Sequence, residues 1–279
     1  MRHGARRDPK RRHDPPHWIE HSHGLEPPTH GLDYGWACDN RDPMKFLAFD
    51  TSTEQLHLGA SDGERHICHV RAGAAQSSSA LLPLALATLK ALGGSLQDLT
   101  AVVLGRGPGS FTGLRTACAV AQGLAFGAQL PVLPIDTLLA VAEDARQDRP
   151  HVRVLAVLDA RMNQFYVAAY EHHDGQWHTR QTPALLDPPD VRFPEAWHDG
   201  AAPVVLAGIG IDALRETHHP SDAPPHETTL AAPTASALLR LATAAWQAGA
   251  GVSADQAMPL YLRDKVAQTT AERAAARSP

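Results

Sequence analysis

What the chain lacks narrows its class first. Its three cysteines, Cys38, Cys68 and Cys118, are odd in number and have no metal-ligand spacing, so they encode no disulfide framework. Such usage points to a reducing, cytoplasmic setting. No apolar run reaches the roughly eighteen residues that a membrane helix requires, and the N-terminus lacks the apolar stretch of a secretory signal. Neither membrane spanning nor export is expected. A broad positive field is also missing, because the formal charge is −5, so any contact with nucleic acid must be local or made by a partner. The 17 histidines form no H-E-x-x-H or H-x-x-x-H pair on a helix, and His172-His173 and His218-His219 read as solvated pairs.

With 43% apolar residues in a chain of 279, one large core or two ordinary ones can form. Residues 1–43 are crowded with His, Arg and Pro and have no helical or strand period, which predicts a disordered leader. Met44 then reads as the natural start. From there the pattern is mixed α/β: strands over 46–49, 55–60 and 66–70, a helix over 77–92, a strand over 101–104, a helix over 111–126 and a short strand over 130–135. A second cycle opens with strands over 152–160 and 165–171. Proline-rich connectors, the strand PVVLAG, a loop over 217–226 and a helix over about 235–250 follow. Each cycle ends its first strand on an aspartate, Asp50 in FLAFDTST and Asp159 in VLAVLDAR, which suggests duplicated half-domains facing across a cleft. The boundaries expected are 44–150 for the first half, 151–268 for the second including the C-terminal helix, and 269–279 for a flexible tail.

The segment GRGPGSFTGLR, residues 105–115, sits between a buried strand and a helix and holds four glycines and one proline. Compression of the turn explains glycine there, but free N–H groups at the helix start could also cradle an anion, with Arg115 as counter-charge. The expected phosphate site therefore gathers Asp50, Thr51, Gly107, Gly109, Ser110, Arg115 and Asp159, with a second glycine turn at Gly208 and Gly210. The Walker A pattern fails for want of a lysine in the loop, and the nucleophile elbow fails because Phe111 stands where serine is required. A dinucleotide fingerprint, Gly105-x-Gly107-x-x-Ser110 with Asp136 beyond, lacks its third glycine. Asp50 and Asp159 could hold a magnesium-bound phosphate, or each could cap its own turn. The helix after the loop carries Ala117, Ala121 and Ala125, a small-residue face that suits either core packing or a partner helix.

FLAFDTST, LLP in the first helix, GPGSFTGLR, AQGLAFG, LDARMNQFY and PLYLRDKVAQ stand in the order found in the TsaB (YeaZ) family, which this sequence resembles from Met44 to about Gln268. The resemblance implies an actin/Hsp70-like (ASKHA) fold, two ribonuclease H-like halves. It further implies a non-catalytic subunit that pairs with TsaD and with the ATPase TsaE to transfer threonylcarbamoyl to the tRNA adenosine beside the anticodon. On that reading tRNA is met only through the complex, and no cofactor is required, with ATP or ADP and magnesium at the complex interface left open. TsaD-type proteins carry two metal-binding histidines on their first helix, where this chain has Gln76-Ser77-Ser78-Ser79. No metal is expected here, and glycoprotease or peptidase labels gain no support. The expected TsaD contact lies on the helices over 77–92 and 111–126, at Leu82, Ala117, Ala121 and Ala125. The same face would give a homodimer when TsaD is absent. An active phosphotransferase of this fold and a nicotinamide-dependent oxidoreductase are the competing classes.

Overall fold

The computed structural model describes residues 43–72, 77–217 and 223–263. The leader, apart from Pro43, and the tail fall outside them. Two five-stranded sheets form the scaffold. In the first, β1 (Phe46–Asp50) is central, with β2 (Gln55–Ser61) and β3 (His66–Ala72) antiparallel on one side and β4 (Ala101–Gly105) and β5 (Val132–Ile135) parallel on the other. In the second, β6 (Val152–Asp159) is central, flanked by antiparallel β7 (Phe165–His173) and β8 (Gln176–Leu186) and by parallel β9 (Val204–Ile209) and β10 (Glu227–Thr229). Both sheets thus share one strand order. This is the duplicated actin-like fold of two ribonuclease H-like halves that the family resemblance implies, and the sequence repeat agrees with it.

Burial on both faces explains the composition of the central strands. All five residues of β1 are buried, Leu47 and Phe49 on one face, Phe46 and Ala48 on the other. Helices α1 (Ser77–Ala91) and α2 (Phe111–Ala128) cover the first face. On α1, Leu81, Ala85 and Leu89 point inward at a spacing of four, while Leu82 and Leu86 stay exposed. On α2, Ala117, Ala121 and Ala125 are buried in the same core. This corrects their expected place in a partner interface: three methyl-sized side chains let α2 lie close on the sheet and leave nothing to offer outside.

The remaining helices exchange halves. Helix α3 (Thr137–Arg146) follows the first sheet in the chain yet packs on β6, β7 and β9 of the second, whereas α5 (Ala235–Gln247) follows the second sheet and packs on the first. The C-terminal helix therefore belongs by packing to the first half, contrary to the division read from chain order. The two helices also touch each other and form a layer between the sheets. Within it Glu143 is buried and accepts hydrogen bonds from Arg146 (3.0 Å), Arg240 (2.6 Å) and Trp177 (2.8 Å). Burial alone would raise its pKa, but these donors outweigh it and hold the carboxyl below its usual range. Helix α4 (Ile211–Thr217) and the 3-10 turns Pro188–Asp190 and Glu195–Asp199 cover the outer face of the second sheet, with Trp197 buried among them. Among the described residues no helix is long and apolar enough to cross a membrane.

Candidate functional site

The C-terminal ends of β1 and β6 face a cleft of about 800 Å3, lined by residues 52–55, 109–111, 158–162, Tyr166, 209–210, Leu230, Ala232 and 260–263. Asp50 and Asp159 occupy matching strand ends but have opposite fates. Asp50 has no exposed surface, and its Oδ1 accepts from the Ser52 amide (2.7 Å) and hydroxyl (2.5 Å) while Oδ2 accepts from Thr137 Oγ1 (2.7 Å). Burial pushes its pKa up to about 6, with the Ser52 and Thr137 hydrogen bonds opposing the rise. Asp159 lies on the cleft wall, accepts from the Arg161 amide (2.7 Å), and pairs loosely with the Arg161 guanidinium (3.5 Å).

The glycine loop is packed against the 50–52 turn. A Cβ on Gly105 would come within 2.0 Å of Asp50 Oδ2, and one on Gly113 within 1.8 Å of the Thr51 carbonyl oxygen, so the chain tolerates no side chain at either point. Several of its polar groups are spent internally. The Ser110 amide donates to the Ser52 carbonyl (2.7 Å), the Gly107 amide to Thr137 Oγ1 (3.0 Å), the Gly113 amide to Ser110 Oγ (3.4 Å), and Thr51 Oγ1 to the Gly113 carbonyl (2.6 Å). Arg115 does not turn toward the loop; its guanidinium lies 3.8 Å over the Phe111 ring and its Nε donates to Tyr261 Oη (3.2 Å). The expected phosphate cradle is thus corrected in two of its members, because the Asp50 carboxylate is sealed on both oxygens and the Arg115 guanidinium is turned to Phe111 and Tyr261. A magnesium-bound phosphate held between the two strand-end carboxylates does not fit, because Asp50 is sealed from the cleft and both its oxygens already accept hydrogen bonds. Of the expected set, Gly109, Ser110, Asp159 and Gly210 line the cleft, whereas Asp50, Thr51, Gly107, Arg115 and Gly208 do not. Gly208 faces the Val157 backbone, and Gly210 sits against Asp159.

Sequence reading missed the strap that closes this region. Residues 257–263 run across the glycine loop: Ala257 O accepts from Gln122 Nε2 (3.1 Å), the Leu260 amide donates to Arg106 O (2.7 Å), and Tyr261 lies 5.1 Å from Phe111. At its end Arg263 donates to the carbonyls of Ala160 (3.0 Å) and Arg161 (3.3 Å). These bonds brace the β6–β7 turn, where Arg161, Met162 and Asn163 are all left-handed (φ 63°, 57° and 56°). For residues with a Cβ that conformation costs roughly 1–2 kcal/mol each, which the bracing offsets. The turn aims Arg161 across the cleft at Glu54, the ion pair that joins the two halves at the mouth. The motifs LDARM and PLYLRD contain these residues, but only the fold brings them together.

Among the described residues no group of three or more His, Cys, Asp or Glu side chains is arranged to hold a metal ion.

Comparison with known proteins places this arrangement. The family described as TsaD: tRNA N6-adenosine threonylcarbamoyltransferase matches residues 71–271. The tRNA threonylcarbamoyladenosine biosynthesis protein TsaB of Escherichia coli K12 is 34% identical over 225 residues, 80% of this chain and 96% of that protein. Its namesake in Haemophilus influenzae is 42% identical over 125 residues, 44% of this chain and 52% of that one. The solved structure of YeaZ from Pseudomonas aeruginosa superposes with a TM-score of 0.69 at 36% identity, covering 78% of this chain and all of that one. By sequence and by fold, this chain belongs to the TsaB (YeaZ) family.

Proposed function

We propose that the chain serves tRNA threonylcarbamoyladenosine biosynthesis as a non-catalytic subunit. It pairs with a TsaD-type catalytic partner, works with a TsaE-type ATPase, meets tRNA only through that complex, and acts in the cytoplasm away from membranes. Alone, it forms a homodimer through the face that TsaD would cover. The observation that carries this reading is the state of Asp50: the carboxylate beside the glycine loop is sealed from solvent and hydrogen-bonded on both oxygens. A group so placed supplies no base to a substrate. Any ATP or ADP with magnesium that the complex uses then belongs to the complex interface, not to these strand ends.

Support for the contact comes from exposed apolar side chains on the paired helices, Leu82 and Leu86 on α1 and Phe126 on α2, the last 75% exposed. Of the residues assigned from sequence only Leu82 keeps this role. The test is threonylcarbamoyl transfer reconstituted with the organism's TsaD and TsaE. Asp50→Asn and Asp159→Asn should leave transfer intact, whereas Leu82→Asp with Phe126→Asp should abolish TsaD pull-down from a folded chain. Transfer lost on Asp159→Asn, with folding and TsaD binding unchanged, would overturn the non-catalytic assignment.

A further inference from the structure

A second group of exposed apolar side chains lies away from the α1–α2 face. Leu230 (83% exposed), Met162 (56%) and Tyr261 all line the mouth of the cleft, contributed by the segment before α5, the β6–β7 turn and the strap. A small molecule enclosed by the cavity walls would leave side chains this exposed in water; only a body larger than the cavity covers them. Methionine, leucine and tyrosine around a depression also make the kind of adaptable, apolar rim that protein partners use as an anchor pocket.

Charge at the mouth is unbalanced in one direction. Glu54 and Asp159 both pair with Arg161. Arg115 and Arg263 have no carboxylate partner among the described residues: the first lies over Phe111 and meets Tyr261 Oη, and the second meets two carbonyls and lies 3.1 Å from Met162 Sδ. Two cations thus lie near the mouth, Arg263 on its wall and Arg115 outside it against Tyr261, each able to pair with a carboxylate without giving up an ion pair.

We propose that the mouth of the cleft is a second protein-docking surface, which takes an acidic segment of a partner protein. A large apolar side chain of that segment enters between Leu230, Met162 and Tyr261 while its carboxylates pair with Arg263 and Arg115. The surface is separate from the α1–α2 face and stands whether or not TsaD binds there.

The probe is a phage library of short random peptides, selected on the full chain and then synthesised for fluorescence-polarisation titration. Selected peptides should carry Asp or Glu beside Phe, Leu or Trp. Their dissociation constants should rise about tenfold or more on Leu230→Asp and on Arg263→Gln. Leu230 is too exposed for its substitution to unfold the chain, so that variant reads docking alone, and Leu82→Asp should change nothing. No enrichment, selection of basic or uncharged peptides, binding indifferent to Leu230→Asp, binding lost on Leu82→Asp, or displacement of the peptides by ADP would each overturn the proposal.

Discussion

Substituting Asp50 with asparagine should make the protein more stable at neutral pH, and the gain should fade as the pH falls. Asp50 titrates near 6 in the folded chain against 3.8 for an ordinary aspartate. A raised carboxyl pKa means that the unfolded chain gives up its proton first, so the folded state is favoured fully below pH 3.8 and loses ground as pH rises through 6. A difference of about two units amounts to roughly 3 kcal/mol at pH 8, of which about half is already present at pH 5. Asparagine removes that penalty, but its amide cannot accept the Thr137 hydroxyl proton that Oδ2 takes at 2.7 Å. That loss costs about 1 kcal/mol, so the net gain at pH 8 is on the order of 1–2 kcal/mol. The sharper quantity is its pH dependence. The difference between Asp50→Asn and the parent should shrink by about 1.4 kcal/mol between pH 8 and pH 5, because the uncertain hydrogen-bond cost cancels. Urea unfolding at several pH values measures it. A difference that is constant with pH, or that grows toward acid, would refute the claim that burial raises the Asp50 pKa.

Gly113→Ala should cost about 3 kcal/mol or prevent folding, since its methyl group would sit 1.8 Å from the Thr51 carbonyl oxygen and push α2 off the β1 turn; thermal melting reports it. Ala121→Arg should unfold the chain rather than spare it and block a partner, because Ala121 has no exposed surface; circular dichroism separates the two outcomes. Glu143→Gln should destabilise by about 3–5 kcal/mol in urea, leaving Arg146 and Arg240 without their shared carboxylate between the sheets. His57→Leu should reduce acid sensitivity. Burial lowers the pKa of this histidine, whose ring nitrogens have no hydrogen-bond partner among the described residues, so the unfolded state takes up a proton first as pH falls below 6.5 and the parent loses stability there.

The candidate site was legible in its parts and misread in its sum. Glycines at 105, 107, 109 and 113 mark a backbone under close approach, and sequence alone cannot say whether the approaching group is a ligand or the chain itself. Here it is the chain: Asp50, Ser52 and Thr51 press on Gly105, Gly109 and Gly113, and Leu114 with the Leu260 carbonyl on Gly107. The pairing of Asp50 with Asp159 was sound as a statement of repeat, since both close the central strands of equivalent sheets. It was unsound as a statement of chemistry, because one carboxylate is sealed by Thr137, a residue 87 positions away, and the other is open. Small residues on α2 posed the same ambiguity, resolved by a sheet the helix pattern does not mention. Arg161 and Arg263 went unassigned because their partners, Glu54 and the carbonyls of the β6–β7 turn, are distant in sequence.

The elements that escaped sequence reading include the short α4 and β10, but β8 and α3 are the instructive ones. Strand β8 carries Pro183 and is largely half-exposed, features of an edge strand that resemble a connector. Helix α3 is the more telling omission. Of its ten residues, Thr137, Leu138, Ala140, Val141, Ala142, Glu143 and Ala145 are buried, so the apolar stripe that announces a surface helix is smeared around its whole circumference. A helix loses that stripe when it is covered on opposite sides, as α3 is by the second sheet and by α5. The reciprocal placement of α3 and α5 means that each sheet obtains one face of its core from a helix encoded at the end of the other half. Val103, Leu133 and Ala140 meet Leu238 and Leu241 in one cluster, while Leu138 and Val141 meet Val154 and Val205 in another. A cut between residues 150 and 151 would therefore strip both sheets at once, exposing the inner face of β1 and β4 in one fragment and that of β6 and β9 in the other. The repeat in the sequence is a repeat of sheets; the unit that buries its own apolar surface is the pair.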